Sequence, residues 1–393
     1  MSGDQPRSVF ARPLLPVTGA ILTVVSLVAF EGLAVAAALP QVAADLGSVA
    51  LLPWMISGYL LTSGVAVIVA GPLIDSLGPR TMFRWAVGVF VMTSLLAALA
   101  PTMPVMIAAR VAQGLGGGAL IAVALAAVSL SYPDHLVGRA FAANSTVWGV
   151  MSVAGPAVAA FLITSLSWRW IFLVNVPLGG AAAVVGWGIL PSRARPAGER
   201  LRLDWAGVAL LTAFTTCTVL ALSDLTARSL VLLGIAAVAG ALYWRRASRT
   251  DQPVVRLRHV ASQPFAGLGL APGLVLAGAV GVHAYLPLYV QGGRGASPAA
   301  AAWSVLFLTL GWTIAANVVG RLMNRVSESG AVLSGYAIVL PCLTAGWVII
   351  FLDGPLPLLL AVFLVVGVGI GTVTTSSLTL LKRVTPTDEV GRA

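Results

Sequence analysis

Residues 104–130 read PVMIAARVAQGLGGGALIAVALAAVSL. One charge, Arg110, and one amide, Gln113, interrupt a run of otherwise apolar or small side chains. A helix rises 1.5 Å per residue, so about 20 apolar residues cover the hydrocarbon core of a bilayer. This stretch is long enough to cross while carrying its arginine with it. An isolated guanidinium at that depth is costly, so Arg110 must face the interior of a helical bundle and find carbonyls or a carboxylate there.

The rest of the chain has the same character. Of 393 residues 59% are hydrophobic and 9% charged, with mean hydropathy +0.97. A soluble globular chain is about one quarter charged; this one has too few charges to coat a water-facing surface. The fold class is therefore an all-α polytopic membrane protein. Runs of spanning length predict about 12 transmembrane helices, at 14–38, 51–71, 82–100, 104–130, 140–164, 170–190, 205–223, 229–244, 264–289, 300–320, 330–352 and 356–380. The 42 glycines and 23 prolines would break soluble helices, but spanning helices tolerate them where neighbours pack closely.

The net charge of +10 raises the question of nucleic acid, but the basic residues sit in short loops rather than in a basic, aromatic-studded domain. Nineteen of the 23 lie on the side of the N-terminus; Arg169, Arg228 and Arg294 lie opposite, and Arg110 lies within a span. That asymmetry is a positive-inside signal. It predicts a multi-pass protein of the cell membrane with both termini cytoplasmic, in contact with the lipid bilayer and not with nucleic acid. Cys217 and Cys342 are far apart in apolar runs, and no Cys/His spacing suggests a metal site. The basic, apolar start resembles a signal peptide, but its apolar run is too long and carries Glu31; a retained first helix is expected.

A repeat lies under the pattern. Val137-Gly138-Arg139-Ala140 recurs as Val390-Gly391-Arg392-Ala393, and GLGGGA from Gly114 is answered 253 residues on by GVGIGT from Gly367. Gly71, after the second span, has a counterpart in Gly320 after the tenth. Spans 9–12 thus read as a second copy of spans 1–4. The expected layout is a cytoplasmic tail (1–12), a six-helix bundle (13–192), an inserted two-helix linker (193–250) and a C-terminal bundle of four helices (251–393). On that register, counterparts of spans 5 and 6 are expected to be missing.

Taken in order, the motifs resemble the major facilitator superfamily, and within it the fourteen-span drug:proton antiporter branch, over nearly all of the chain. GPLIDSLGPR matches through Gly71, Asp75, Gly78 and Arg80; RVAQGLGGG through Arg110, Gln113 and Gly114; GVMSVAGPAVAA through Gly149, Gly155 and Pro156. WRWIFLVNVP (Trp168, Arg169, Phe172, Asn175, Pro177), LDWAG and LPLYVQ are further hallmarks. The chain departs from the branch at Ala159-Ala160, where a glycine pair is usual, and at Glu31, where an aspartate is usual.

The resemblance implies major-facilitator-type bundles and a proton-coupled exporter of amphipathic or cationic small molecules working by alternating access. It implies no enzyme activity and no cofactor, the proton gradient supplying the energy; no P-loop is present. A monomer is expected. Two rivals stand beside it: a fragment inactive in transport without further helices, and an exporter of a lipid- or siderophore-like natural product. Proton coupling is expected from Glu31 and Arg110. Burial disfavours an ionised carboxyl and a nearby cation favours it, so such a group can exchange a proton for a cationic substrate. Gly71, Asp75, Gly78 and Arg80 are the expected cytoplasmic gating loop, and Gly149, Gly155 and Pro156 the antiporter motif. Candidates for a substrate cavity are Tyr59, Gln113, Asn144, Trp148, His283, Tyr285, Tyr289, Trp312 and Asn317, with Trp54 and Gln291 behind them; stacking and cation–π contact suit such side chains. GLGGGA formally fits a dinucleotide fingerprint, but inside an apolar helix it reads as close helix–helix approach.

Overall fold

The computed structural model describes residues 6–48, 51–186, 188–190, 204–223, 227–250, 253–255, 271–279, 282, 286, 289–296, 298–323 and 325–384. Among the described residues nine helices are long and apolar enough to cross a membrane, and two shorter apolar helices accompany them. The helices are α1 (Leu15–Leu46), α2 (Pro53–Leu77), α3 (Pro79–Ala98), α4 (Met103–Ser131), α5 (Asp134–Ser165), α6 (Arg169–Leu173), α7 (Asn175–Gly186), α8 (Trp205–Ser223), α9 (Ala227–Ala247), α10 (Pro298–Leu322), α11 (Glu328–Phe351) and α12 (Leu356–Val384). Residues 271–279 are also helical, and a π turn covers Tyr289–Gly293. The protein is all-α and multi-pass. More than half of the expected span 264–289 lies outside the described residues.

One expected span, 170–190, is built from α6 and α7, which run on through Val174 in helical geometry (φ −59°, ψ −29°), with Val174 N–H bonded to Trp170 O and Leu178 N–H to Val174 O. Pro177 lacks the N–H that would bond the carbonyl of Leu173, so one hydrogen bond is missing there. Another is longer than expected, α1 running on to Leu46.

The chain divides into two compact units. One holds residues 19–131 and those described between 158 and 262. Its α4 packs on α2 and α3, α3 on α6 and α7, α2 on α8, and α8 on α9. Glycine makes the α4 crossings possible: a Cβ on Gly114 would stand 2.4 Å from Tyr59 O, on Gly116 2.7 Å from Phe90 N, and on Gly118 2.0 Å from Ser63 O. Between α2 and α3 the chain turns at Gly78, whose φ of 82° suits glycine. In α1, Ala20, Val24, Leu27, Glu31, Ala34 and Ala38 are all buried. Their three- and four-residue spacing forms one face, and it carries Glu31 inward.

The other unit holds residues 6–18, 132–157 and those described between 263 and 384. Here α12 packs on α10 and α11, again through glycine. A Cβ on Gly367 would stand 2.1 Å from Leu308 O, and one on Gly371 2.3 Å from Trp312 O. The core between these helices is apolar, with Leu308, Val339, Leu359, Phe363, Val366 and Ile370 buried together.

Candidate functional site

Side chains from six helices of the first unit meet around one buried ion pair. Arg110 Nη1 on α4 pairs with Glu31 Oε1 on α1, and the two side chains are 2% and 0% exposed. Gln113, one turn along α4, accepts from the same Nη1 through Oε1 at 2.5 Å. Arg110 Nε donates to the carbonyl of Met55 on α2 at 3.0 Å. The Tyr59 ring, also on α2, lies 4.4 Å from the guanidinium carbon. Asn175 Nδ2, at the start of α7, donates to the second carboxylate oxygen, Glu31 Oε2. Behind them Ser94 Oγ on α3 accepts from Gln113 Nε2 at 2.7 Å and from Asn175 Nδ2 at 3.3 Å, and donates to Phe90 O.

Asn175 meets Glu31 from the first turn of α7. Phe172 on α6 closes the site from the same side, its ring 5.7 Å from the guanidinium carbon. The arrangement can hold a carboxylate and a guanidinium far from water because each has its counterion and added hydrogen bonds. Protonating Glu31 would discharge one partner. Arg110 would then keep only carbonyl oxygens and an aromatic face, worth about 2 kcal/mol when desolvated. An uncompensated buried charge costs several kcal/mol.

The second unit carries similar helix crossings, and its described residues at the positions of Arg110 and Gln113 do not repeat this chemistry. On the 253-residue register, Arg110 corresponds to Phe363 and Gln113 to Val366, both buried in the apolar core.

The sequence profile of the Major Facilitator Superfamily matches residues 19–393. The chain belongs to that superfamily. It is 30% identical over 346 residues to the tetracenomycin C resistance and export protein of Streptomyces glaucescens, covering 84% of this chain and 64% of the relative. It is 30% identical over 308 residues to a multidrug resistance protein B homolog of Mycobacterium tuberculosis, covering 75% and 56%. This superfamily member thus spans about half to somewhat under two thirds of the length of the curated relatives it matches. Its fold resembles that of the human organic anion transporter MFSD10, with a TM-score of 0.69 at 14% identity over 96% of this chain and 88% of that one.

The other residues singled out from the sequence fall in several places. Arg80 donates to the carbonyls of Leu190 and Gly188, each at 2.8 Å, and so ties the start of α3 to the chain beyond α7. Asp75 is half-buried near the end of α2, and Gly71 is buried within it. Gly149, Gly155 and Pro156 lie in α5, which stays helical through the Gly-Pro step. A Cβ on Gly149 would stand 2.3 Å from Thr313 Oγ1 of α10.

Of the cavity candidates, Tyr59 and Gln113 belong to the Arg110 cluster. Asn317 instead donates to Thr146 Oγ1 at 2.7 Å, joining α10 to α5. Tyr289 accepts from Arg294 at 2.8 Å, beside the Arg294–Asp353 pair at 3.0 Å. Asn144 and Trp312 each keep a buried polar atom, Oδ1 and Nε1, without a hydrogen-bond partner. Trp148 and Trp54 are exposed. His283, Tyr285 and the side chain of Gln291 lie outside the described residues. Sequence reasoning gave no site role to Asn175 or Ser94. Asn175 did carry a signal, a lone amide in an apolar run two residues before a proline; Ser94 carried none.

Proposed function

We propose that this superfamily member is a secondary active transporter that exports amphipathic, often cationic, small molecules in exchange for protons. In this reading Glu31 carries the proton and Arg110 senses its loss or gain. The observation that carries the proposal is the Glu31–Arg110 pair, buried within its bundle and, among the described residues, present at only one of the two repeat positions. A structural clamp needs no titratable partner, whereas exchange needs a carboxyl whose charge decides how its neighbours pack. Resistance and export in the names of two relatives support the direction and the substrate class. Asp75 near the end of α2 and Arg80 at the start of α3, on either side of the turn at Gly78, act in cytoplasmic gating, and the Gly149–Pro156 segment favours export over uptake. The proton gradient supplies the energy.

Proteoliposomes containing the chain and a cationic dye such as ethidium test this. With an imposed pH gradient the dye is expected to move against its own gradient, to stop on adding a protonophore, and to stop in Glu31→Gln. Dye movement that ignores the pH gradient, or survives Glu31→Gln unchanged, refutes the coupling assignment.

A further inference from the structure

Asn175 is fully buried, and its two amide ends are treated unequally. Nδ2 donates to Glu31 Oε2 and lies 3.3 Å from Ser94 Oγ, while Oδ1 has no hydrogen-bond partner. A fully buried acceptor left without a donor is uncommon in a folded protein and calls for a reason. The two ends of a carboxamide are nearly equal in size, one donating and one accepting. Turning the amide over therefore changes hydrogen bonding without changing packing. We propose that Asn175 is the positioning residue that follows the protonation state of Glu31: it offers Nδ2 to Oε2 when the carboxyl is ionised and Oδ1 to Oε2–H when a proton is bound. This deepens the proton-coupling reading above and rests on it.

Each state has its own set of hydrogen bonds. In the ionised state Oε1 accepts from Arg110 Nη1 and Oε2 from Asn175 Nδ2. When a proton from the aqueous phase binds Oε2, an N–H still aimed at it would meet an O–H, donor against donor. After the amide turns, Oε2–H donates to Oδ1, and Ser94 keeps its bonds to Gln113 and Phe90. The turned amide gives up the Nδ2–Ser94 bond of 3.3 Å and leaves its NH2 without an acceptor, where the ionised state leaves only Oδ1 without a donor. The donor–donor clash that a bound proton would otherwise create at Oε2 is what favours the turn. Arg110 from α4 and Tyr59 from α2 are the titratable groups that interact with Glu31 among the described residues, and Ser94, Gln113 and Phe172 belong to the same cluster. The side chain hydrogen-bonded to Oε2 is Asn175.

Infrared difference spectra of the purified chain in lipid nanodiscs, between alkaline and acidic pH, report the C=O stretch of a carboxyl as it gains a proton. The band removed by Glu31→Gln belongs to Glu31. Asn175→Leu is expected to shift that band to higher frequency, because an acid proton without an acceptor leaves the C=O bond stronger. Asn175→Thr, whose hydroxyl accepts, is expected to hold it near the native position. Asn175→Ala should behave as leucine does, which keeps the comparison with threonine open if leucine disturbs folding. A Glu31 band that lies at the native position in both the leucine and alanine variants overturns the inference while leaving the coupling role of Glu31 intact. If no band responds to Glu31→Gln, both fall together.

Discussion

Gly118 and Gly371 stand 253 residues apart, and each lies where a second helix crosses closely. A Cβ on Gly118 would stand 2.0 Å from Ser63 O of α2; one on Gly371 would stand 2.3 Å from Trp312 O of α10. The neighbouring glycines keep the pattern. Gly116 presses on Phe90 of α3, and Gly369 lies 3.0 Å by the same measure from Gly335 O of α11. The repeat seen in the letters is thus a repeat in packing, with a central helix wedged between two others in each unit.

That equivalence gives a paired stability test. Gly118→Ala and Gly371→Ala each place a methyl group on backbone atoms that have no flexible end to move. Overpacking of this kind costs about 1–3 kcal/mol, so both variants should melt at lower temperature in detergent. Gly88→Ala in α3 is the control, since a Cβ there meets nothing within 4 Å. Equal melting of all three would show that the crossings are looser than described.

The ion pair gives a second prediction. Removing one partner of a buried pair leaves the other uncompensated, at about 3–5 kcal/mol. Arg110→Met and Glu31→Gln should each destabilise strongly, and the double variant should be less destabilised than the two single effects added together. Thermal unfolding in a double-mutant cycle measures the coupling. Additive losses would mean that Glu31 and Arg110 act independently, and the proposed exchange of a proton against this charge would lose its basis.

Much of this fold was legible because membrane helices advertise themselves by length and composition. The spans of α2, α4, α8 and α12 required nothing beyond apolar run length and loop charge. Glu31 and Arg110 stood out because a charge within a span demands a partner; the sequence left carbonyls or a carboxylate open to Arg110, and the structure pairs it with Glu31. Gln113 was assigned to a cavity, yet its three-residue spacing from Arg110 already placed the two on one helix face. Ser94 could not have been found: a serine in an apolar helix ordinarily bonds its own preceding turn, as Ser94 does to Phe90 O. Only the fold shows that two amides converge on the same oxygen.

The α8–α9 pair is fastened by a small device. Asp204 Oδ1 accepts from the backbone N–H of Gly207 at 2.8 Å, capping α8, and from Arg246 Nε of α9 at 2.6 Å. A Cβ on Gly207 would stand 2.3 Å from Asp204 Oδ2. Loss of a cap costs about 1 kcal/mol, and Arg246 is 43% exposed, so the ion pair adds little beyond it. Asp204→Ala should therefore lower stability modestly and speed hydrogen exchange in the first turn of α8. Gly207→Ala should reproduce this by displacing the carboxylate, even though Asp204 is still present. A Gly207→Ala protein with native exchange in that turn would show that the carboxylate has room the structure does not give it.

The contact between α5 and α10 separates hydrogen bonding from close packing. Asn317 Nδ2 bonds Thr146 Oγ1 at 2.7 Å and also Thr313 O on its own helix at 2.9 Å. Hydrogen bonds between membrane helices average about 0.6 kcal/mol and reach about 1.7, so Asn317→Leu should cost no more than that. Small residues govern the approach of the two backbones. Gly149 makes room for the Thr313 side chain, and Gly138 meets Gly320 directly, a Cβ on Gly320 standing 2.5 Å from Gly138 O. Gly320→Val must push the helices apart over this whole face and is expected to exceed Asn317→Leu in cost, by the same overpacking of about 1–3 kcal/mol or more. Thermal melting of both variants in one detergent measures the order. The reverse order would mean that the polar bond, not the small-residue stripe, holds α5 to α10.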